Sequence, residues 1–240
     1  MELLDAINIP LCQQQRIPVK MLVEQLQPTT SDKKVLENHI QSMYLVSLLN
    51  EQTIRIRAFK DETYSFQAIY VFKINLKKND NLTSLLTLIH SAFPESTILL
   101  FNHKGKQYIS GASKRINKLD KTKTVIEDTV LSEIIINNDT LEHLDFNKLI
   151  GSNLKTYYGS IMQLIYKCKI YSITNVFPIN NIDFKFVIKE YEKLNSELNV
   201  LKEKYKNATM KAEKMRIDDE IYEHEEKIRN IASNLKRNEG

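Results

Sequence analysis

The sequence predicts an α+β protein: a mixed sheet flanked by helices in the order αβββαβββα, carrying a long C-terminal helical or coiled-coil arm. Three observations predict it. Helix-like and strand-like segments interleave from about residue 30 to residue 170 instead of segregating. A hydrophobic fraction of 42% in 240 residues is enough for a sizeable core. From residue 184 to residue 236 there is no Pro or Gly, and apolar residues recur in alternating steps of four and three, a heptad seam. The division this suggests is a core domain over residues 1–181 and a helical tail over residues 182–240.

Each element follows from local pattern. Pro10, Pro18 and Pro28 punctuate a loop-like start, with one short helix possible after Pro18. Thr30 or Ser31 reads as the N-cap of a helix with Asp32 in its first turn and Val35, Leu36, Ile40 and Met43 at helical spacing. "SMYLVSLL" is a first strand. "TIRIRAF" alternates Ile54 and Ile56 against Arg55 and Arg57 and reads as a second. "YSFQAIYVFKIN" is a third, with an apolar run suited to a central position. "NLTSLLTLIHSAF" is an amphipathic helix ended by Pro94. "STILLF" is a buried strand, "NHKG" a hairpin signal with Gly105 as its permissive residue, and "KQYIS" its return. "TVIEDTVLSEIII" is a further strand or strand pair. The segment 144–168 is a helix weakened at Gly151 and Gly159.

The tail carries Val187, Tyr191, Leu194, Leu198, Leu201, Tyr205, Ala208, Ala212 and Met215 on one seam. A second seam, Ile217, Ile221, His224, Ile228, Ile231 and Leu235, does not share its register. Either a coiled coil slips phase here or the chain folds back as a hairpin. One continuous helix would be about 75 Å long, and so narrow a stripe must bury against another helix. Leu194, Leu198, Leu201, Tyr205, Ile221 and Ile228 are therefore the residues expected to bind a protein partner or a second copy.

Composition excludes several function classes. Only five glycines occur, with no dinucleotide-binding or phosphate-loop motif, so no cofactor is expected. Cys12 and Cys168 are far apart and the five histidines are scattered, so no metal site is expected and the thiols should be buried. "MELLDAINIP" lacks the basic start and apolar stretch of a signal peptide, and no apolar run could span a bilayer. The expected location is cytoplasmic.

Charge is unevenly placed. Between residues 103 and 123 stand Lys104, Lys106, Lys114, Arg115, Lys118, Lys121 and Lys123, with Asp120 the one acid. Residues 124 to 147 then hold six acids and no Lys or Arg. Lysines on a hairpin tip and its exit can contact phosphates, which makes Lys104, Lys106, Lys114, Arg115 and Lys118 the expected nucleic-acid-binding residues. The plainer reading is a solvated loop whose charges pair with the next strand. Tyr108 is the one aromatic residue in the patch, thin for single-strand stacking.

The order helix, three strands, helix, strand is also that of the PD-(D/E)XK nuclease core, where two carboxylates hold a divalent metal and a lysine positions water. Asp61 or Glu62 could supply one acid and Lys73 or Lys77 the lysine. Two residues before Lys73, Lys77 and Lys78 stand Val71, Asn75 and Leu76, so the second carboxylate is missing. A core of this kind would be degenerate.

Several stretches together, "RIPVK", "ENHIQSMYLVSLLNEQTIRI", "AFPESTILLF", "SGASKRIN" and "LKEKYKNATMKAEKMRIDDEIYEHEEKI", make the chain resemble the bacterial and archaeal family called domain of unknown function 4391. The resemblance spans nearly the whole chain and brings no catalytic residues. It implies genes that often lie beside DNA helicases and methyltransferases in restriction or phage-defence clusters. Gln67 stands where an acid is usual on the third strand. The expected function is a non-catalytic accessory subunit of such a DNA-acting defence system, binding nucleic acid through the basic hairpin and a helicase-like partner or itself through the tail. The alternatives are a divergent metal nuclease and a pure interaction module whose coiled coil sets the oligomeric state.

Overall fold

The structure is a computed structural model that describes residues 2–178 and 182–235. The chain divides into two compact units, Met1–Cys168 and Lys169–Gly240. The expected boundary at residue 181 lies outside the described residues. The fold is α+β, with a mixed sheet, flanking helices and a helical C-terminal region. Among the described residues no helix is long and apolar enough to cross a membrane.

The N-terminal segment contains α1 (Leu3–Ala6), the two-residue β1 (Gln15–Arg16) and α2 (Val19–Leu26), which starts directly after Pro18. Helix α3 (Thr30–His39) is capped by Thr29, whose hydroxyl accepts from the Asp32 N–H. The cap stands one residue before the expected Thr30. Strand β2 (Ile40–Leu49) follows without a break.

Residues 51 to 57 correct the sequence reading. In place of a strand there is a one-turn helix, α4 (Glu51–Ile54). The Asn50 side chain accepts from the Gln52 and Thr53 N–H groups, and Arg55 takes a left-handed conformation that ends the turn. Local side-chain capping outcompetes the strand propensity of the isoleucines. The partners of β2 are β1 and, on its other edge, β5 (Ile69–Leu76), reached through the short pair β3 (Phe59–Lys60) and β4 (Ser65–Phe66).

Helix α5 (Leu82–Ser91) crosses over to β6 (Ser96–His103), which runs parallel to β5. Strands β7 (Lys106–Ile116) and β8 (Thr124–Ile134) complete an antiparallel meander, giving the order β1-β2-β5-β6-β7-β8. Lys104 and Gly105 form the two-residue β6–β7 turn with φ of 48° and 83°, both left-handed, as "NHKG" requires. After α6 (Asn138–Leu144) and a 3-10 turn at Phe146–Lys148, helix α7 (Leu154–Thr174) begins.

The sheet is covered on both faces. On β7, Ser110 meets His90 of α5, while the adjacent Gly111 approaches Met162 and Ile165 of α7. Consecutive strand residues point to opposite faces, so α5 and α7 lie on opposite sides. The core on the α5 side gathers Leu36, Phe72, Ile74, Leu85, Leu86, Ile89, Leu99 and Phe101. Central strands buried on both faces read as apolar runs instead of alternating, as β6 does.

The tail resolves into the second of its two expected arrangements. Helices α8 (Phe184–Asn207) and α9 (Lys211–Asn234) pack on each other as a hairpin turned by residues 208–210. Leu201, Ala208 and Ile217 form its buried centre, with Ile221 packed against them. Lys202–Glu225 at 3.0 Å and His224–Glu197 at 3.4 Å cross from helix to helix.

Candidate functional site

One end of the sheet collects most of the chemistry of the first unit. The Ile116 N–H, at the close of β7, donates to the Thr63 carbonyl at 2.7 Å. The Leu154 N–H, opening α7, donates to the Arg57 carbonyl at 2.8 Å. These bonds hold the β3–β4 hairpin across the sheet end. Within it Asp61 Oδ1 accepts from the Thr63 and Tyr64 N–H groups at 2.8 and 2.6 Å. Those two backbone bonds, with the Lys155 ammonium 3.6 Å away, hold the Asp61 carboxyl below its ordinary value. Lys155 also lies over the rings of Phe59 and Tyr64, at 4.6 and 4.2 Å from their centroids.

Two concavities flank this hairpin. The larger, about 340 Å³, is lined by Lys60, Lys121 and Lys123 together with Glu62, Gln67 and Glu95. The smaller, about 250 Å³, is lined by Tyr64, Phe66 and Tyr158 with Lys155, Glu127 and Gly159. A β-bulge on β8 serves the second one. Ser113 pairs with Asp128 and Lys114 with Ile126, leaving Glu127 unpaired in the ladder.

Beneath the sheet end runs a sealed polar cluster. His90 is fully buried, with Nδ1 2.6 Å from Thr97 Oγ1 and Nε2 3.0 Å from Ser110 Oγ. Burial, reinforced by the nearby Lys114 charge, holds the imidazole well below its ordinary value. The Lys114 amine donates to the carbonyls of Phe93 and Glu95 at 2.8 and 2.6 Å. Burial pushes it down to about 7, against the pull of the Glu95 carboxylate. The Tyr158 hydroxyl accepts from the Ala112 N–H, and its one proton is shared between the Ala112 and Thr97 carbonyls at 2.9 and 3.1 Å. Burial raises its value above that of a free phenol.

The expected nucleic-acid residues do not form one patch. Lys104 and Lys106 sit at the β6–β7 turn, whereas Arg115 and Lys118 lie at the far end of β7, about 30 Å away at 3.3 Å per residue. Lys114 faces the interior and is 6% exposed, so it cannot reach a phosphate. Lys106 pairs with Glu133 at 3.1 Å and Arg115 with Glu127 at 3.4 Å. For these two, the pairing of basic residues with the acidic strand that follows is what forms. Lys104, Lys118 and Lys121 are exposed and make no ion pair among the described residues.

The residues of the nuclease reading are dispersed. Asp61 caps its own turn, Lys73 pairs with Glu2 at 2.6 Å, and Lys77 donates to the Glu37 carbonyl at 2.6 Å. Lys77 follows the C-terminal end of β5 and Asp61 lies beyond the other end. Among the described residues no three His, Cys, Asp or Glu side chains gather as metal ligands. Both cysteines are free; Cys168 is buried, with its thiol pushed up to about 12 by burial, and Cys12 is half-buried rather than buried.

In the tail, Leu198 and Leu201 are buried, Leu194, Ile221 and Ile228 half-buried, and Tyr205 exposed beneath the Lys214 ammonium. Leu201 and Ile221 belong to the hairpin's own packed centre, so this part of the seam is closed within one chain. The apolar side chains left outside are Phe186, Val200, Met210, Met215 and Tyr222.

Sequence reasoning missed the aromatic cavity and the Lys114 cluster. One signal for the cavity was present: Lys155, Tyr158, Gly159 and Met162 stand at helical spacing on one face of α7. The model of a family described as "Domain of unknown function (DUF4391)" matches residues 12–228. No curated protein and no solved structure matches the chain.

Proposed function

The chain belongs to this family of unknown function, and on that premise we propose that it is a non-catalytic accessory subunit of a DNA-acting restriction or phage-defence system. It contacts nucleic acid with the lysine-bearing loops at the β3–β4 end of the sheet and a protein partner with the outer face of the α8–α9 hairpin. One observation carries the nucleic-acid part: Lys60, Lys118 and Lys121 are exposed and make no ion pair among the described residues, while the neighbouring Asp61 and Asp120 are held by Lys155, Lys123 and backbone N–H groups. Ammonium groups that form no ion pair favour phosphate, with counterion release as the driving term, and the exposed Glu62 beside Lys60 opposes it. The exposed Val200, Met215 and Tyr222 support the protein-partner part. The defence setting rests on the family resemblance. The nuclease alternative loses support because Asp61, Lys73 and Lys77 already have other partners.

The test is duplex and single-strand binding at two salt concentrations, for the wild type and a Lys60/Lys118/Lys121→Ala variant. The variant should bind more weakly, and its salt slope should be smaller by about one for each phosphate it no longer neutralises. Equal binding and equal slopes would refute the assignment.

A further inference from the structure

Gly159 stands within the 21-residue helix α7, where a glycine weakens a helix by about 1 kcal/mol relative to alanine. Close packing does not require it: a Cβ built there meets nothing within 4 Å. The contrast is Gly111, where a Cβ would come 2.5 Å from the Met162 sulfur. The open space at Gly159 is the cavity of about 250 Å³ between α7, the β3–β4 hairpin and the start of β8. No packing contact explains this glycine, and the space beside it stays open.

The walls define that occupant. Phe66 lies 6.5 Å from the Tyr64 ring and 5.8 Å from the Tyr158 ring, both pairs tilted, and these three aromatic side chains line the space. Around them stand a hydroxyl (Ser113), a carboxylate (Glu127), an ammonium (Lys155) and the nearly buried Lys114. Glu127 accepts from Tyr64 and pairs with Arg115, and a carboxylate has room for further donors. Glu127 and Lys155 already have partners in Arg115, Tyr64 and Asp61, but each has capacity for a further hydrogen bond that a purely apolar guest would not use, and a small ion would make no use of the rings. The volume lies below that of drug-sized pockets, which start at about 300 Å³. We propose that this cavity takes one unstacked nucleobase, packed against the rings of Tyr64, Phe66 and Tyr158 that line it, with its donor and acceptor edge toward Glu127, Lys155 and Ser113. The proposal rests on the nucleic-acid reading above and extends it to single-stranded or extruded bases.

The test uses the full chain, free 2-aminopurine riboside, and a single-stranded oligonucleotide and a duplex that each carry 2-aminopurine. Gly159→Leu should fill the cavity while keeping the helix, with thermal melting checking that the fold is intact. Tyr64→Leu, which removes a ring from the hairpin, is the second variant. Both should weaken single-strand binding by between about 5-fold and 150-fold, the loss of one stacked base, and should remove the change in 2-aminopurine fluorescence. Duplex binding should change less. Loss of riboside binding as well would identify the heterocycle alone as sufficient; riboside binding with no strand binding would keep the cavity and refute the nucleic-acid reading. Unchanged single-strand and riboside binding in both variants would overturn the cavity assignment and leave the lysine contacts standing. No binding of any probe by the wild type would overturn both.

Discussion

The Lys114 amine donates to the Glu95 carbonyl at 2.6 Å from a side chain that is only 6% exposed. A lysine that reads as part of a basic patch is instead an interior cross-link between β7 and the turn leading into β6. Its environment makes a signed prediction about pH. Burial lowers its value to about 7, whereas an unfolded lysine titrates near 10.4. Between these values the unfolded chain holds a proton that the native chain lacks. Stability therefore rises with pH across that window, by up to about 1.4 kcal/mol per pH unit, and the penalty of the buried charge is fully present below it. Urea unfolding at pH 6, 7.5 and 9 should show the wild type gaining on Lys114→Met as pH rises. A constant difference would show that the amine keeps its charge when folded.

Gly159 within α7 and Gly111 facing it from β7 should respond oppositely to the same change. Gly159→Ala should stabilise by about 1 kcal/mol, raising the melting temperature by about 2–4 °C. Gly111→Ala forces a Cβ toward the Met162 sulfur and should destabilise by about 1–3 kcal/mol. Thermal melts of the two variants compare them directly, and a destabilising Gly159→Ala would contradict the open space beside that residue.

Tyr158→Phe keeps the ring and removes a hydroxyl that serves the Ala112 N–H and the Thr97 and Ala112 carbonyls. Leaving those groups unpaired in the interior should destabilise by about 1–3 kcal/mol, read by chemical denaturation. A neutral result would mean that water replaces the hydroxyl.

The hairpin predicts a local effect. Leu201→Ala removes a buried side chain from its centre. Amide exchange should quicken along α8 and α9 while β5 and β6 keep their protection, because openings of this kind are local. Unchanged exchange in the helices would refute the packing described for them.

Much of this architecture was legible in the sequence. The "NHKG" turn, the amphipathic α5 and the apolar β6 each carry a pattern that one local rule decides. The change of register after Met215 allowed a hairpin, but the turn lies earlier, at residues 208–210, so Ala212 and Met215 belong to the second helix; no Gly or Pro marks the turn. Where the reading failed, one cause was local and the others were not. The alternation at 54–57 was overridden by capping from Asn50. The basic residues of 104–118 looked contiguous because a sequence hides the length of the strand that separates its two ends. Helices cover both faces of the sheet, so alternation along β7 could not say that Lys114 points inward. The aromatic cavity joins residues of the hairpin, β8 and α7 that no spacing rule connects.

The most direct test of the account is amide chemical-shift mapping of the full chain titrated with a single-stranded oligonucleotide. Shifts are expected at residues 60–66, 118–123 and 155–159, with those at Lys104 and Lys106 small. Shifts centred on the β6–β7 turn, or none at any of these positions, would contradict it.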